Sequence, residues 1–161
     1  MMRVTRTLTH RRSATTLAGR LVENFGRPAE MRKLYASDVR WELPPSLGKI
    51  AGPHEGIDAV AAFNRRVWEA VYFDAESQSG KACSVQILDE VGGAHSASSA
   101  VRFIYKATYR NGHTPYENEY TVFVRARDGL IQEVFEGLDT MRSVNAFARK
   151  PVDHNPYRAQ R

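Results

Sequence analysis

The 161-residue chain lacks the sequence features that are typical of several large protein classes. Cys83 is its only cysteine, so it has no disulfide framework and is compatible with a reducing compartment. Its five histidines are scattered without the spacing of zinc or iron ligands, so we expect no metal site. No apolar run approaches the roughly 18 residues that span a membrane. We therefore expect a cytoplasmic protein that does not bind a membrane.

Positive charge is concentrated at the two ends of the chain. The net charge is +5, but the first twelve residues carry four arginines and no acid, and the last twenty-two are also basic. The body between these ends is slightly acidic. Basic tails on such a body favour solubility or loose contacts. Because no nucleic-acid motif and no aromatic-basic stripe is present, we expect no nucleic-acid partner.

The hydrophobic pattern is helical in the first half of the chain and strand-like in the second. Helical spacing follows Ser13, a candidate N-cap, and recurs over 29–36 and 57–73, with a short strand at 39–43. Four β-like runs then alternate with GG, NGHTP and RDG turn signals, and an amphipathic helix follows at 141–148. This order predicts an α+β domain.

The same pattern suggests where the domain begins and ends. We predict a disordered basic arm over residues 1–12, the folded domain over 13–148 and a tail over 149–161. No repeat, linker or second domain is visible in the sequence.

Three stretches resemble the nuclear-transport-factor-2-like superfamily, and the SnoaL-like polyketide cyclases in particular. They are YASDVRWELP, GPHEGIDAVAAF and YENEYTVFVRARDGLIQEVFEGLDT. The resemblance implies a cystatin-like α+β cone, in which a curved, mostly antiparallel sheet of four to six strands wraps on the N-terminal helices around an internal pocket. It also implies a homodimer through the outer sheet face, where we expect Phe103, Tyr105 and Phe135. The superfamily hosts several chemistries and non-catalytic modules, so the fold alone does not specify an activity.

Most of the catalytic positions of the superfamily's known enzymes are changed in this chain. Where ketosteroid isomerases carry their base and oxyanion residues, the chain has Leu21, Leu43 and Thr121. Arg102 and Glu136 match two residues of limonene-epoxide hydrolases, and the other three are replaced by Trp41, Leu43 and Ile104. Tyr116 and Glu136 match phenazine-biosynthesis A/B proteins, whose catalytic histidine is replaced by Phe63.

The last strand carries two glutamates that must point in opposite directions. Strand side chains alternate, so Glu136 shares a row with Gln132, Val134 and Leu138, whereas Glu133 shares the other row with Ile131 and Phe135. The resemblance places the Glu136 row on the pocket. An apolar pocket would raise the pKa of Glu136 and suit it to general acid/base work. The alternatives are a structural ion pair with Arg102 and exposure to solvent.

The remaining candidates are substrate-binding residues. Tyr116 and Asn118 are candidate hydrogen-bonding groups, although the Thr121 row of the same strand is the alternative pocket row and a β-bulge would reconcile the two. We expect five other residues to surround the ligand: Trp41, His54, Phe63, Val134 and Leu138. Asp139 precedes the last helix and is expected to cap it.

These residues support three hypotheses about function. The first is a cofactor-independent acid/base enzyme, an isomerase, aldol cyclase or dehydratase, that acts on a small, largely apolar metabolite. Glu136 would transfer protons in it, and Arg102 would orient Glu136 or bind an anionic substrate. The second is a non-catalytic ligand-binding or dimerisation module. The third is water addition to an epoxide, which requires Glu117 or Glu119 to face Arg102.

Overall fold

Within the part of the chain that the structure describes, six strands form one open, mixed sheet. The structure is a computed structural model that describes residues 14–68, 83–108 and 115–147. Its strands are β1 (Tyr35–Glu42), β2 (His54–Glu55), β3 (Cys83–Val91), β4 (Ser98–Thr108), β5 (Pro115–Arg127) and β6 (Leu130–Leu138). They pair in the order β2-β1-β6-β5-β4-β3, with β1 and β6 parallel and all other neighbours antiparallel. The predicted α+β class and mostly antiparallel sheet are therefore confirmed.

Four helices accompany the sheet in the described residues: α1 (Leu17–Glu23), α2 (Pro28–Arg32), α3 (Ile57–Arg66) and α4 (Thr140–Phe147). A short 3₁₀ segment covers Pro45–Ile50. The apolar stripe predicted for α1 is buried, and α1 packs against β4 and β3. None of the described helices combines the length and the apolarity that crossing a bilayer would require.

Two helix boundaries differ from the predictions. The helix predicted over 29–36 ends at Arg32, because Tyr35 joins β1 and pairs with Ile131 of β6. Thr16 caps α1, since its side-chain oxygen accepts a hydrogen bond from the Gly19 backbone at 2.9 Å. The predicted cap Ser13 lies outside the described residues, as do residues 69–73 of the third predicted helix.

The two faces of the sheet differ sharply in chemistry. On β4 and β5 the inward side chains are Val101, Phe103, Tyr105, Tyr116, Asn118, Tyr120, Val122 and Val124, and all of them are buried. The outward side chains of the same strands are largely charged or exposed. Phe103 and Tyr105 were therefore wrongly assigned to an outer dimer surface. Phe135 does lie on the outer face, 48% exposed, opposite Phe123.

A bulge in β6 changes the direction of one predicted side chain. Arg125 of β5 is opposite Glu133, but the next residue, Ala126, is opposite Ile131, so Gln132 is an extra residue. Ile131 consequently points into the core rather than outward as predicted. Beyond the bulge, from Glu133 to Leu138, the alternation follows the prediction. The β-bulge considered for β5 is not needed to reconcile its two rows. The register of β5 with β4 is continuous, and the Tyr116 row is the inner one.

Close contact between α1 and β3 explains a glycine within a helix. Glu90 of β3 accepts hydrogen bonds from the Thr16 hydroxyl at 2.7 Å and from the Thr16 backbone at 3.1 Å. The backbone of Thr15 donates to the same carboxylate at 3.2 Å. A Cβ at Gly19 would lie only 2.0 Å from Glu90 Oε1 and 2.8 Å from the Ala14 Cβ. The glycine therefore leaves room for a carboxylate held in place by the start of the helix.

We expect Gly19→Ala to destabilise the protein by about 1–2 kcal/mol, because the methyl group would displace Glu90 from charge-assisted hydrogen bonds. Helix propensity alone predicts the opposite, since alanine is favoured over glycine by about 1 kcal/mol inside a helix. Urea denaturation measures the change in the free energy of unfolding. In a Glu90→Ala background the same substitution should destabilise the protein less, because only the contact with the Ala14 Cβ remains. Stabilisation by Gly19→Ala in the otherwise unchanged protein would contradict this account.

Candidate active site

An apolar cavity of about 500 Å³ lies between the inner face of the sheet and the helices. Its walls combine aromatic residues with aliphatic residues from the 3₁₀ segment, the C-cap of α3, β6 and α4. Among the described residues that line it, Glu136 is the only charged one. The volume falls within the range of about 300–1,000 Å³ typical of small-molecule sites.

Packed rings form much of the cavity wall. Phe25, which follows α1, lies between Trp68 and Phe103, with ring centroids 5.3 Å and 5.6 Å away. Trp41 packs at 6.0 Å from Phe63. Aromatic contacts at these distances are favourable beyond the area that they bury. The wall is therefore part of the packed core, which favours a cavity that is already formed before a ligand binds.

Glu136 lies on this wall, as the alternation of β6 predicted. Its residue surface is only 9% exposed, and the indole Nε1 of buried Trp41 donates a hydrogen bond to its Oε2 at 3.0 Å. Burial raises the pKa of Glu136 from its usual 4.5 to about 7, because a carboxylate loses hydration in an apolar site; the Trp41 hydrogen bond opposes this shift. Near neutral pH the side chain is thus present in both the protonated and the ionised form.

Arg102 does not accompany Glu136, and the prediction that the two residues pair was wrong. The Arg102 side chain is 56% exposed on the outer face of β4, where it forms an ion pair with Glu119 of β5. The reason is strand alternation, since Val101 and Phe103 occupy the inner face on either side of it. Glu119 does face Arg102, as the epoxide hypothesis requires, but both lie outside the cavity.

Tyr116 and Asn118 point inward but do not belong to the cavity wall formed by the described residues. Asn118 Nδ2 donates to the Tyr116 hydroxyl at 2.8 Å and to the Asp139 carbonyl at 2.9 Å. The hydroxyls of Tyr116 and Tyr120 are 2.8 Å apart, and Tyr120 does line the cavity. This network joins β5 to the start of α4, where Asp139 Oδ1 caps the helix by accepting from the Arg142 backbone at 3.1 Å.

Of the other predicted ligand contacts, Trp41, Phe63 and Leu138 line the cavity. His54 lies behind the wall, with its ring stacked on Phe63 at 4.0 Å and Nε2 3.1 Å from the Ile50 carbonyl oxygen. Val134 is buried in the core opposite Trp41. Neither of these two is among the residues that line the cavity.

Four polar cavity residues were not predicted: Asn64, Tyr105, Tyr120 and Ser143. A signal for Asn64 exists in the sequence, because it lies four residues after Val60 and therefore on the apolar stripe of α3. A polar residue within such a stripe indicates a buried hydrogen-bonding role. The tyrosines share their strand rows with core residues, and nothing in the sequence distinguishes the two functions.

The helices and the sheet around this cavity define the nuclear-transport-factor-2-like fold. The chain belongs to the SnoaL-like domain family, whose pattern matches residues 20–134. A comparison with curated proteins finds no match.

Solved structures share the fold at low sequence identity. A candidate SnoaL-like polyketide cyclase from Jannaschia sp. CCS1 superposes with a TM-score of 0.64 at 14% identity, covering 84% of this chain and 91% of its own. A candidate isomerase from Rhodopseudomonas palustris gives 0.62 at 17% identity, covering 79% and 89%. An NTF2-like protein of unknown function from Burkholderia pseudomallei K96243 gives 0.62 at 19%, covering 80% and 92%.

Burial of Glu136 predicts a pH-dependent stability. The folded state holds the Glu136 proton more tightly than the unfolded state, so the free energy of unfolding falls as the pH rises from about 4.5 to about 7. Above this window the full cost of about 3 kcal/mol is present. We expect Glu136→Gln to be more stable than the original protein at pH 8, by up to about 3 kcal/mol, and similar to it near pH 4.5. Urea denaturation at the two pH values measures this difference.

The matched control is Glu133→Gln, which changes an exposed carboxyl on the outer face of the same strand. It should change stability by a similar, small amount at both pH values. If Glu136→Gln also gives no difference between pH 4.5 and pH 8, the carboxyl is not buried as described.

We expect Trp41→Phe to raise the pKa of Glu136 further above 7, because the indole hydrogen bond is the group that opposes the effect of burial. Carboxyl ¹³C NMR of labelled glutamate measures this pKa directly. Trp68→Phe is the matched control, since it removes an indole that donates to the Tyr105 hydroxyl at 3.2 Å instead. A lower pKa in Trp41→Phe, or equal shifts in both variants, would disprove the role given to Trp41.

Proposed function

We propose that the protein is an enzyme that moves protons on a small, largely apolar metabolite, with Glu136 as its acid/base. The reaction class is isomerisation, intramolecular aldol cyclisation or dehydration. The observation that carries this proposal is the buried carboxyl with a pKa of about 7 on the wall of an apolar cavity. General acid/base groups work best when their pKa lies near the operating pH.

The surroundings of Glu136 suit a group that removes a proton from the ligand and then returns it. Trp41 binds Oε2, and no group in the described part of the chain bonds to Oε1, which leaves that oxygen for the ligand. The ionised form would remove a proton next to a carbonyl group, and the resulting neutral form would deliver it to another atom of the same molecule. The apolar wall limits access of water, which would otherwise compete for that proton.

The comparisons support this reading at the level of the family. Solved structures of the same fold include candidate polyketide cyclases and a candidate isomerase. These names belong to the neighbours, and the likeness itself concerns the fold.

A ligand-binding module without catalysis is the second candidate function. It is favoured by the absence of a second charged group among the described residues that line the cavity. In this reading Glu136 would recognise a ligand rather than transfer its proton. We also propose that the chain forms a homodimer through its outer sheet face, where Phe123 and Phe135 are exposed side by side.

We expect the protein to catalyse deuterium uptake at the carbon next to the carbonyl of 1-tetralone in D₂O, and Glu136→Gln to slow it by at least about a hundredfold. The exchange rate should rise as the pH increases through about 7, because the ionised carboxylate is the active base. Mass spectrometry or ¹H NMR of the recovered ketone measures the exchange.

Arg102→Gln is the control, because Arg102 lies on the outer face and should leave the exchange rate unchanged. Equal exchange by Glu136→Gln and the original protein would refute the assignment. Binding of 1-tetralone without any exchange would favour the module.

A further inference from the structure

One residue of the cavity wall carries a buried polar atom that has no partner among the described residues. Asn64 of α3 lines the cavity and is only 1% exposed. Its Nδ2 makes no hydrogen bond to any described residue. A buried donor without a partner costs about 1–3 kcal/mol. Since buried polar groups are almost always satisfied, this amide group indicates a missing acceptor.

The other end of the same amide is fixed. The Tyr35 hydroxyl donates a hydrogen bond to Asn64 Oδ1 at 2.6 Å, and both side chains are buried. With Oδ1 occupied by a donor, the amide presents Nδ2, with its two hydrogens, as its remaining hydrogen-bonding group. Tyr35 therefore acts as a positioning residue that determines which atom of Asn64 is offered to a ligand.

The Asn64 amide is connected to Glu136 through Tyr35, its hydrogen-bond partner. Burial, and after it the negative charge of Glu136, raise the pKa of Tyr35 well above its usual value. The Tyr35 ring also packs at 6.3 Å from Trp41, whose indole binds Glu136. The donor on Asn64 and the carboxyl of Glu136 thus belong to one site, linked through Tyr35 and Trp41.

We propose that Asn64 Nδ2 donates a hydrogen bond to a carbonyl oxygen of the substrate, and that the substrate is an uncharged, largely apolar carbonyl compound. The proposal rests on the proposed function, in which Glu136 is the proton carrier. The described cavity wall contains no cation that would pair with an anionic substrate. The neutral acceptor that best matches an amide N–H in an apolar site is a carbonyl oxygen.

The chemistry of proton removal gives this hydrogen bond a function. When Glu136 takes a proton from the carbon next to the carbonyl, the C–H electron pair forms a C=C bond, and the former C=O pair moves onto oxygen. The resulting enolate oxygen carries the negative charge, and Glu136 is then neutral. Asn64 Nδ2 would stabilise this oxygen more strongly than the ground-state carbonyl. Return of the proton from Glu136 to a carbon of the enolate re-forms the C=O bond and completes the cycle.

The test compares 1-tetralone with tetralin, the same bicyclic molecule without the carbonyl oxygen. Isothermal titration calorimetry should show that the original protein binds 1-tetralone about fivefold more tightly than tetralin, which is the effect of one hydrogen bond. Asn64→Leu should remove this preference and leave tetralin binding unchanged. Infrared spectra of bound 1-tetralone should show the carbonyl band at lower frequency in the original protein than in Asn64→Leu.

Two further variants keep the test decisive. Asn64→Ala also removes the donor and adds no bulk, so it should lose the preference too, and it replaces Asn64→Leu if that variant does not fold. Tyr35→Phe leaves the amide free to rotate and should broaden or raise the carbonyl band, which a merely structural role would not do. Equal affinity for the two molecules in the original protein, failure of both to bind, or a preference retained in both Asn64 variants would overturn the proposal.

Failure of the role proposed for Asn64 can be distinguished from failure of the role proposed for Glu136. If ketone preference is absent while Glu136→Gln still abolishes deuterium exchange, the role of Asn64 fails and the acid/base function stands. If the preference depends on Asn64 while Glu136→Gln exchanges deuterium normally, the acid/base function fails and the carbonyl site stands.

Discussion

The site is organised around one hydrogen bond, from the indole of Trp41 to the carboxyl of Glu136. It connects β1 and β6, the two parallel neighbours of the sheet, and it holds a carboxyl against an apolar wall. Ionising Glu136 in this position costs about 3 kcal/mol relative to water. That is a considerable part of the roughly 5–15 kcal/mol by which a domain is stable. Favourable interactions elsewhere in the fold must offset this cost.

The outer face of the sheet explains why no cation from the described residues accompanies that carboxyl. Arg102 pairs with Glu119, Lys106 with Glu117 at 2.9 Å, and Arg125 with Glu133 at 3.5 Å, all across neighbouring strands and all exposed. Each such pair contributes little to stability, typically less than about 1 kcal/mol. Their consequence is a separation of charge, since they keep basic side chains on the solvent side. The described inner face is left with one acid and a few hydrogen-bonding groups.

The order of helical and strand-like segments and the family resemblance predicted the fold, and strand alternation together with the resemblance predicted the direction of Glu136. Alternation failed at a local irregularity. Gln132 is the extra residue of a bulge, and no feature of LIQEVFEGL distinguishes it from a regular strand residue, so Ile131 was assigned to the wrong face. For Arg102 the error had another source, because the family resemblance indicated a role in the pocket although Val101, Phe103 and Tyr105 form an apolar row beside it. Asn64 was not predicted because the periodicity that predicts α3 depends on its apolar residues, and Asn64 is a polar residue among them.

The two features that a folding argument alone does not explain lie in the same cavity. A neutral or apolar residue at position 136 would avoid the cost of a buried carboxyl, and an apolar residue at position 64 would avoid an unpartnered donor. Elsewhere in the described residues, buried polar side-chain atoms find partners, as in the network of Asn118, Tyr116 and Tyr120. Departures from local stability tend to occur at functional sites. One buried carboxyl and one buried donor in the same apolar cavity match what a carbonyl substrate would require, and a purely structural core would need neither.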